Sequence, residues 1–100
     1  MEIKKPAMAG TMESSDCIVT IRPGQNGIQI DLQSDVKVMF GESILATVEA
    51  VLREMGVDDA DVEIVDKGAM DCVIRARTQC AVCRAAETPY DWTKEAACHG

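Results

Sequence analysis

Between residues 27 and 55 the spacing of the apolar residues changes once, and that change limits the folds open to the chain. From Gly27 to Leu32, Ile28, Ile30 and Leu32 alternate with Gln29 and Asp31, the period-two pattern of a strand with one face buried. From Ser34 onward Val36, Phe40, Ile44, Val48, Val51, Leu52 and Met55 recur at steps of three and four. That spacing predicts an amphipathic helix with Ser34 as its N-cap and Gly56 as the left-handed residue that ends it. Gly41 inside the helix costs about 1 kcal/mol relative to Ala, which the long apolar stripe absorbs.

The remaining elements fall on either side. Cys17-Ile18-Val19-Thr20-Ile21 is rich in β-branched residues and stops at Arg22-Pro23-Gly24, so it reads as a strand that forms a hairpin with residues 27–32. Val62 and Ile64 mark a third strand, closed by the turn Asp66-Lys67-Gly68. Residues 69–74 fit two patterns. Met70, Cys72 and Ile74 alternate as in a strand, whereas Ala69, Cys72, Ala76, Cys80 and Cys83 share a helical face. A short fourth strand through Ile74, then a helix from Arg75 to Ala86, is the expectation. Residues 1–15, with Pro6 and Gly10 and no periodicity, read as a flexible arm. Residues 16–86 form the domain, and residues 87–100 a loose tail in which Tyr90 and Trp92 pack back or meet a partner. The fold class is α+β, in the order β-β-α-β-(β)-α, with helices on one face of a mostly antiparallel sheet.

A chain of 100 residues holds one domain and one modest core, and aromatics at 3% make that core aliphatic. The formal charge of −7, with no Lys/Arg cluster, argues against nucleic acid as a partner. It fits docking onto basic surfaces of larger proteins, and also plain solubility. Met1-Glu2-Ile3-Lys4-Lys5-Pro6 has no apolar signal segment, and no apolar run approaches a membrane span. A cytoplasmic protein is expected, with its five cysteines (Cys17, Cys72, Cys80, Cys83, Cys98) reduced and acting mostly as small core residues.

Few side chains offer chemistry. Cys80-Ala81-Val82-Cys83 is a CxxC, but the only further ligands for a metal are the adjacent Cys98 and His99. A redox CxxC opens a helix after a strand, and this pair lies well inside one. His99 is the only histidine, so a nucleophilic triad has no support. Asp58, Asp59 and Asp61 lack the spacing and glycine of a calcium loop and read as a solvated acidic turn. There is no glycine-rich phosphate cradle. The chain is not built to catalyse with its own side chains.

The N-terminal segment then takes on meaning. Pro6-Ala7-Met8-Ala9-Gly10-Thr11-Met12-Glu13-Ser14-Ser15-Asp16 closely resembles the start of the acyl carrier proteins of citrate lyase, the γ chains of that complex. Their pattern there is Pro-Ala-x-Ala-Gly-Thr-Leu-Glu-Ser-x-Asp. The likeness continues through Ile28–Leu32, Val36–Gly41 and Asp66–Arg77, and covers roughly residues 1–86. The resemblance implies that Ser14 carries a covalently attached 2'-(5''-phosphoribosyl)-3'-dephospho-CoA through a phosphodiester. Met12 stands where the family has leucine, and Ser15 places a second hydroxyl beside the first. It further implies that the chain itself does not catalyse. The α subunit exchanges acetyl for citryl on the cofactor thiol, and the β subunit cleaves the citryl thioester to oxaloacetate. Implied partners are those two subunits, a holo-carrier synthase and an acetylating ligase. Glu13 and Asp16, acidic and close to the serine, are expected to help dock them. Two rivals stand beside this reading: the carrier of a citramalate lyase or malonate decarboxylase, and a metal or redox module on Cys80 and Cys83.

Overall fold

In a computed structural model of the protein, residues 1–34 and 37–88 are described, with side chains for all of these except residues 37–40. The elements run β1 (Ala7–Gly10), β2 (Cys17–Pro23), β3 (Ile28–Ser34), α1 (Lys37–Glu54), β4 (Ala60–Asp66) and α2 (Asp71–Ala86). The expected fold class holds: the four strands form one sheet in the order β1-β2-β4-β3, and two of its three pairings are antiparallel. Alternate residues of each strand face the helices. Ala9, Val19, Ile21, Leu32, Ala60, Val62 and Ile64 meet Ile44, Val48 and Leu52 of α1 and Ile74, Ala81, Val82 and Ala85 of α2 in one core.

The hairpin expected between residues 17–21 and 27–32 does not form. β4 lies between the two strands, antiparallel to β2 (Val19 opposite Ile64) and parallel to β3 (Ile30 opposite Val62). The loop after β2 passes over the start of β4, where Ala60 N–H donates to the Gly27 carbonyl (3.1 Å) and Gly27 N–H to Asp59 Oδ1 (2.8 Å). A Cβ on Gly24 would come within 2.9 Å of the Ala60 backbone, so only glycine lets the loop take that path. The β3-α1-β4 segment is thus a parallel crossover unit, which needs the helix to span the return.

Helix α1 ends as the sequence indicates. Gly56 has φ +72°, its N–H donates to the Arg53 carbonyl, and Val57 N–H reaches the Leu52 carbonyl, the paired bonds of a Schellman cap. Ser34 is not its N-cap. It is the last residue of β3, and its hydroxyl donates to Asp66 Oδ2 at 2.8 Å. Val36 and the Phe40 side chain lie outside the described residues.

The optional strand over residues 69–74 is absent, and the chain enters α2 at Asp71. Buried Asp66 explains this early start: its Oδ1 accepts Ala69 N–H at 2.9 Å, closing the turn through Gly68, and the Met70 carbonyl accepts Val73 and Ile74 N–H. The helix then buries Ile74, Thr78, Ala81, Val82 and Ala85, a stripe at steps of three and four.

Residues 1–15 are not a free arm. β1 extends the sheet, Ile3 is 5% exposed within the core, and Lys4 and Lys5 N–H both donate to the Ala85 carbonyl near the end of α2. Burying Ile3 and supplying donors to a helix C-terminus are both favourable, and together they hold the segment down. Of the expected tail, Glu87 and Thr88 complete the cap of α2 through bonds to the Arg84 and Cys83 carbonyls. Tyr90, Trp92, Cys98 and His99 lie outside the described residues.

Candidate functional site

The connection from β1 to β2 carries the two serines. Gly10 ends β1 at φ +111°, and a Cβ there would sit 1.7 Å from the Cys17 carbonyl oxygen. No other residue permits the chain to leave the sheet so close to the incoming strand. Asp16 N–H donates to the Glu13 carbonyl at 3.2 Å, so Glu13 to Asp16 form a β-turn with Ser14 and Ser15 at its two central positions. Ser15 adopts φ +65°, the pattern of a type II turn. Ser14 precedes it at the apex, exposed, and its hydroxyl has no hydrogen-bond partner among the described residues.

The turn is braced on both sides. Ser15 N–H donates to the Lys67 carbonyl (2.8 Å), and Lys67 N–H returns a bond to the Asp16 carbonyl (2.9 Å). Thr11 Oγ1 donates to Asp16 Oδ2 (2.7 Å) and accepts Glu13 N–H (3.2 Å). Asp16 joins these parts. Its carboxylate takes Cys17 N–H at 2.7 Å and a two-pronged contact from Arg77 of α2, Nε at 3.0 Å and Nη2 at 2.7 Å. The Arg77 fork, with the Thr11 hydroxyl and Cys17 amide, outweighs partial burial and lowers the Asp16 carboxyl to about 2. The same carboxylate holds the guanidinium above its ordinary value. Arg77 lies 61 residues away in sequence, and the α2 stripe that buries Ile74, Thr78 and Ala81 is what brings it here.

Of the two acids expected to dock partners, Glu13 is exposed and Asp16 is committed inward. Removing Asp16 therefore takes a brace from the loop, so the pair cannot be stripped without disturbing the fold. Thr11, Lys67 and Arg77 are functional supports that the spacing of residues did not single out. The signal for Arg77 was its place inside the Asp66–Arg77 stretch of family resemblance.

Cys17, Cys80 and Cys83 behave as packing residues. Cys17 is fully buried, and loss of solvent, helped by nearby Asp16 and Asp66, pushes its thiol up to about 12. Cys80 and Cys83 lie one turn apart in the second half of α2, the first packed against the core and the second buried. Among the described residues no cluster of three or more His, Cys, Asp or Glu side chains is placed to hold a metal ion. Asp58, Asp59 and Asp61 flank the start of β4, with Asp59 spent on the Gly27 amide.

A small two-layer domain that braces an exposed turn and holds Ser14 and Ser15 out to solvent is laid out to present a group to other proteins. Comparison with known proteins defines its class. The acyl carrier family described as malonate decarboxylase delta subunit (MdcD) matches residues 4–85. The citrate lyase acyl carrier protein of Clostridium perfringens is 53% identical over 94 residues, covering 92% of this chain and 93% of the relative. That of Leuconostoc citreum is 56% identical over 85 residues, 85% of this chain and 88% of the relative. The chain belongs to this family of acyl carrier proteins, that of the citrate lyase carriers. In fold it is similar to a chain of a Pseudomonas malonate decarboxylase hetero-tetramer crystallised with malonate (TM-score 0.55, 22% identity, 85% of this chain and 92% of that one).

Proposed function

We propose that this protein is the acyl carrier subunit of a citrate lyase and that Ser14 is the anchor of its prosthetic group, a phosphoribosyl-dephospho-CoA. The observation that carries the proposal is the placement of Ser14: exposed at the apex of a turn whose flanks are tied to Lys67 just after β4 and to Arg77 of α2, with no hydrogen-bond partner for its hydroxyl among the described residues. An attachment point needs access and a fixed position, and it needs no base of its own. Attachment forms an Oγ–P bond at Ser14 while the activated nucleotide donor loses its own leaving group with the bonding electron pair. The hydroxyl proton passes to a base of the transferring enzyme, since Asp16 is spent on Arg77, Thr11 and the Cys17 amide and Glu13 lies exposed to solvent.

The surroundings fit such a group. Ser14 is exposed, and Ser15 beside it holds the backbone in the left-handed region of the turn. When bound, the group supplies the thiol on which acyl groups travel between the active sites of the α and β subunits as citrate becomes oxaloacetate and acetate. A tethered thiol meets both sites at high effective concentration, so this chain's cysteines have no part in the reaction, and Cys17, fully buried with its thiol pushed up to about 12, is unsuited to one. We place the protein in the cytoplasm beside those subunits. No helix among the described residues is long and apolar enough to cross a membrane.

The family description and the fold neighbour favour a second reading, a malonate decarboxylase carrier. Identities of 53% and 56% to citrate lyase carriers, against 22% for the decarboxylase chain, favour the first. The test is a pair of variants, Ser14→Ala and Ser15→Ala, in a reconstituted complex assayed with citrate, citramalate and malonate. The reading expects citrate cleavage with the parent and Ser15→Ala, and none with Ser14→Ala. Full activity of Ser14→Ala overturns the anchor, and turnover of malonate alone overturns the citrate assignment.

A further inference from the structure

Among the described residues the exposed large apolar side chains are four methionines, Met1, Met8, Met12 and Met70, and two of them, Met12 and Met70, stand in the loops at the serine end of the sheet. Met12 is 54% exposed and lies two residues from Ser14; Met70 is 66% exposed and ends the loop whose Lys67 exchanges hydrogen bonds with Ser15 and Asp16. Two adjacent, bonded loops thus each hold a methionine out beside the anchor. Near the same end, on the sheet face turned away from the helices, half-buried Ile18 and Val65 stand opposite one another and add apolar surface. Each methionine also has an exposed carboxylate next to it in sequence, Glu13 beside Met12 and Asp71 beside Met70. Flexible thioether chains facing water are costly for a monomer and well suited to a contact surface.

The identity of the occupant follows from reach. Subunits that use the finished carrier are visited by a long arm and need not touch the loop. An enzyme that bonds a group to Ser14 Oγ must bring its reacting atoms to that oxygen, so it covers whatever projects around it. We propose that Met12 and Met70, with the Ile18–Val65 pair, form the seat of the enzyme that modifies Ser14. That enzyme offers an apolar lip edged with cationic side chains that meet Glu13 and Asp71. The proposal rests on the reading of Ser14 as the anchor.

The test uses the full-length apo carrier, its modifying enzyme and the nucleotide donor, with intact mass as the readout. Met12→Gln/Met70→Gln keeps side-chain length and removes the apolar contact. It is expected to raise the KM for the carrier about tenfold, with kcat changed less than twofold and the urea midpoint unchanged. Met12→Leu/Met70→Leu restores the parent KM, and Gln25→Ala, in the loop at the far end of the sheet, leaves it unchanged. Glu13→Gln raises KM at low salt by about threefold, an effect that fades at high salt. Hydrogen exchange in the complex slows at residues 11–18 and 65–71. If Ser14→Ala stays inert while the double Gln variant keeps the parent KM, the seat is refuted and the anchor stands. If Ser14→Ala accepts the group as the parent does, the anchor falls and the seat with it.

Discussion

Arg77→Ala removes the guanidinium fork that ties the serine turn to α2. The Asp16 carboxyl falls from 3.8 to about 2 on folding, with the Arg77 fork the largest cause, and a displacement of that size corresponds to roughly 2.4 kcal/mol between the ionised and neutral forms. Arg77 is 39% exposed against 13% for Asp16, and screening at the outer partner reduces the usable share to about 1–2 kcal/mol. A group with a depressed folded value contributes fully above its unfolded value and loses the contribution as pH falls through the folded one. The stabilisation is therefore present at pH 7, begins to fade below about 4 and is mostly lost by about 2. Urea unfolding at pH 7 should show Arg77→Ala less stable by about 1–2 kcal/mol, and the gap should shrink to about a third of that as the pH drops to about 2.5. For a domain of this size the same difference lowers Tm by about 4–12 °C at neutral pH. Amide exchange at Ser15 and Lys67 should speed up in the variant well before the core strands respond. A stability gap that stays constant from pH 7 to 2.5, or no gap at all, refutes the brace.

Three further outcomes follow from particular geometry. Gly10→Ala places a methyl group 1.7 Å from the Cys17 carbonyl oxygen, so it should cost about 3 kcal/mol or more in urea unfolding and disrupt the β1–β2 amide signals. Glu87→Gly relieves a non-glycine residue at φ +58° and gives up only an exposed ion pair with Lys5 at 3.6 Å. It should gain about 0.5–1 kcal/mol, read as a higher Tm. Cys17, fully buried with its thiol pushed up to about 12, should resist maleimide at pH 8 until the protein unfolds. Rapid labelling of Cys17 in the folded state, seen by peptide mass mapping, would contradict its role as a packing residue.

Local periodicity was enough for most of the elements and for the class of fold. The alternation at Ile28, Ile30 and Leu32 marks β3, and the steps from Ile44 to Leu52 mark α1, because each pattern reflects burial against one face. Pairing was harder. Two strands joined by Pro-Gly-Gln-Asn-Gly look like a hairpin, yet β4, nearly thirty residues further on, separates them. The clue was Gly24, needed because the loop grazes the Ala60 backbone, and close approach of two backbones leaves no mark on periodicity. Residues 70–74 misled for a related reason. Their alternation is real, but the buried Asp66 carboxylate caps the turn and starts α2 early. The stripe continuing from Ile74 to Ala85 was the better guide. At the site, Ser14 was legible through its resemblance to a family motif. Asp16 was visible only as a charge, and its partner lies 61 residues away. An ion pair across that separation follows from the fold and from nothing in either local sequence.

Fragmentation mass spectrometry of the protein purified from its native host decides whether Ser14 is an anchor. The expected spectrum places one phosphodiester-linked nucleotide adduct on Ser14, with Ser15 and Cys17, Cys72, Cys80, Cys83 and Cys98 unmodified. A matured protein that is bare at position 14, or that bears the adduct on Ser15 or a cysteine, contradicts it.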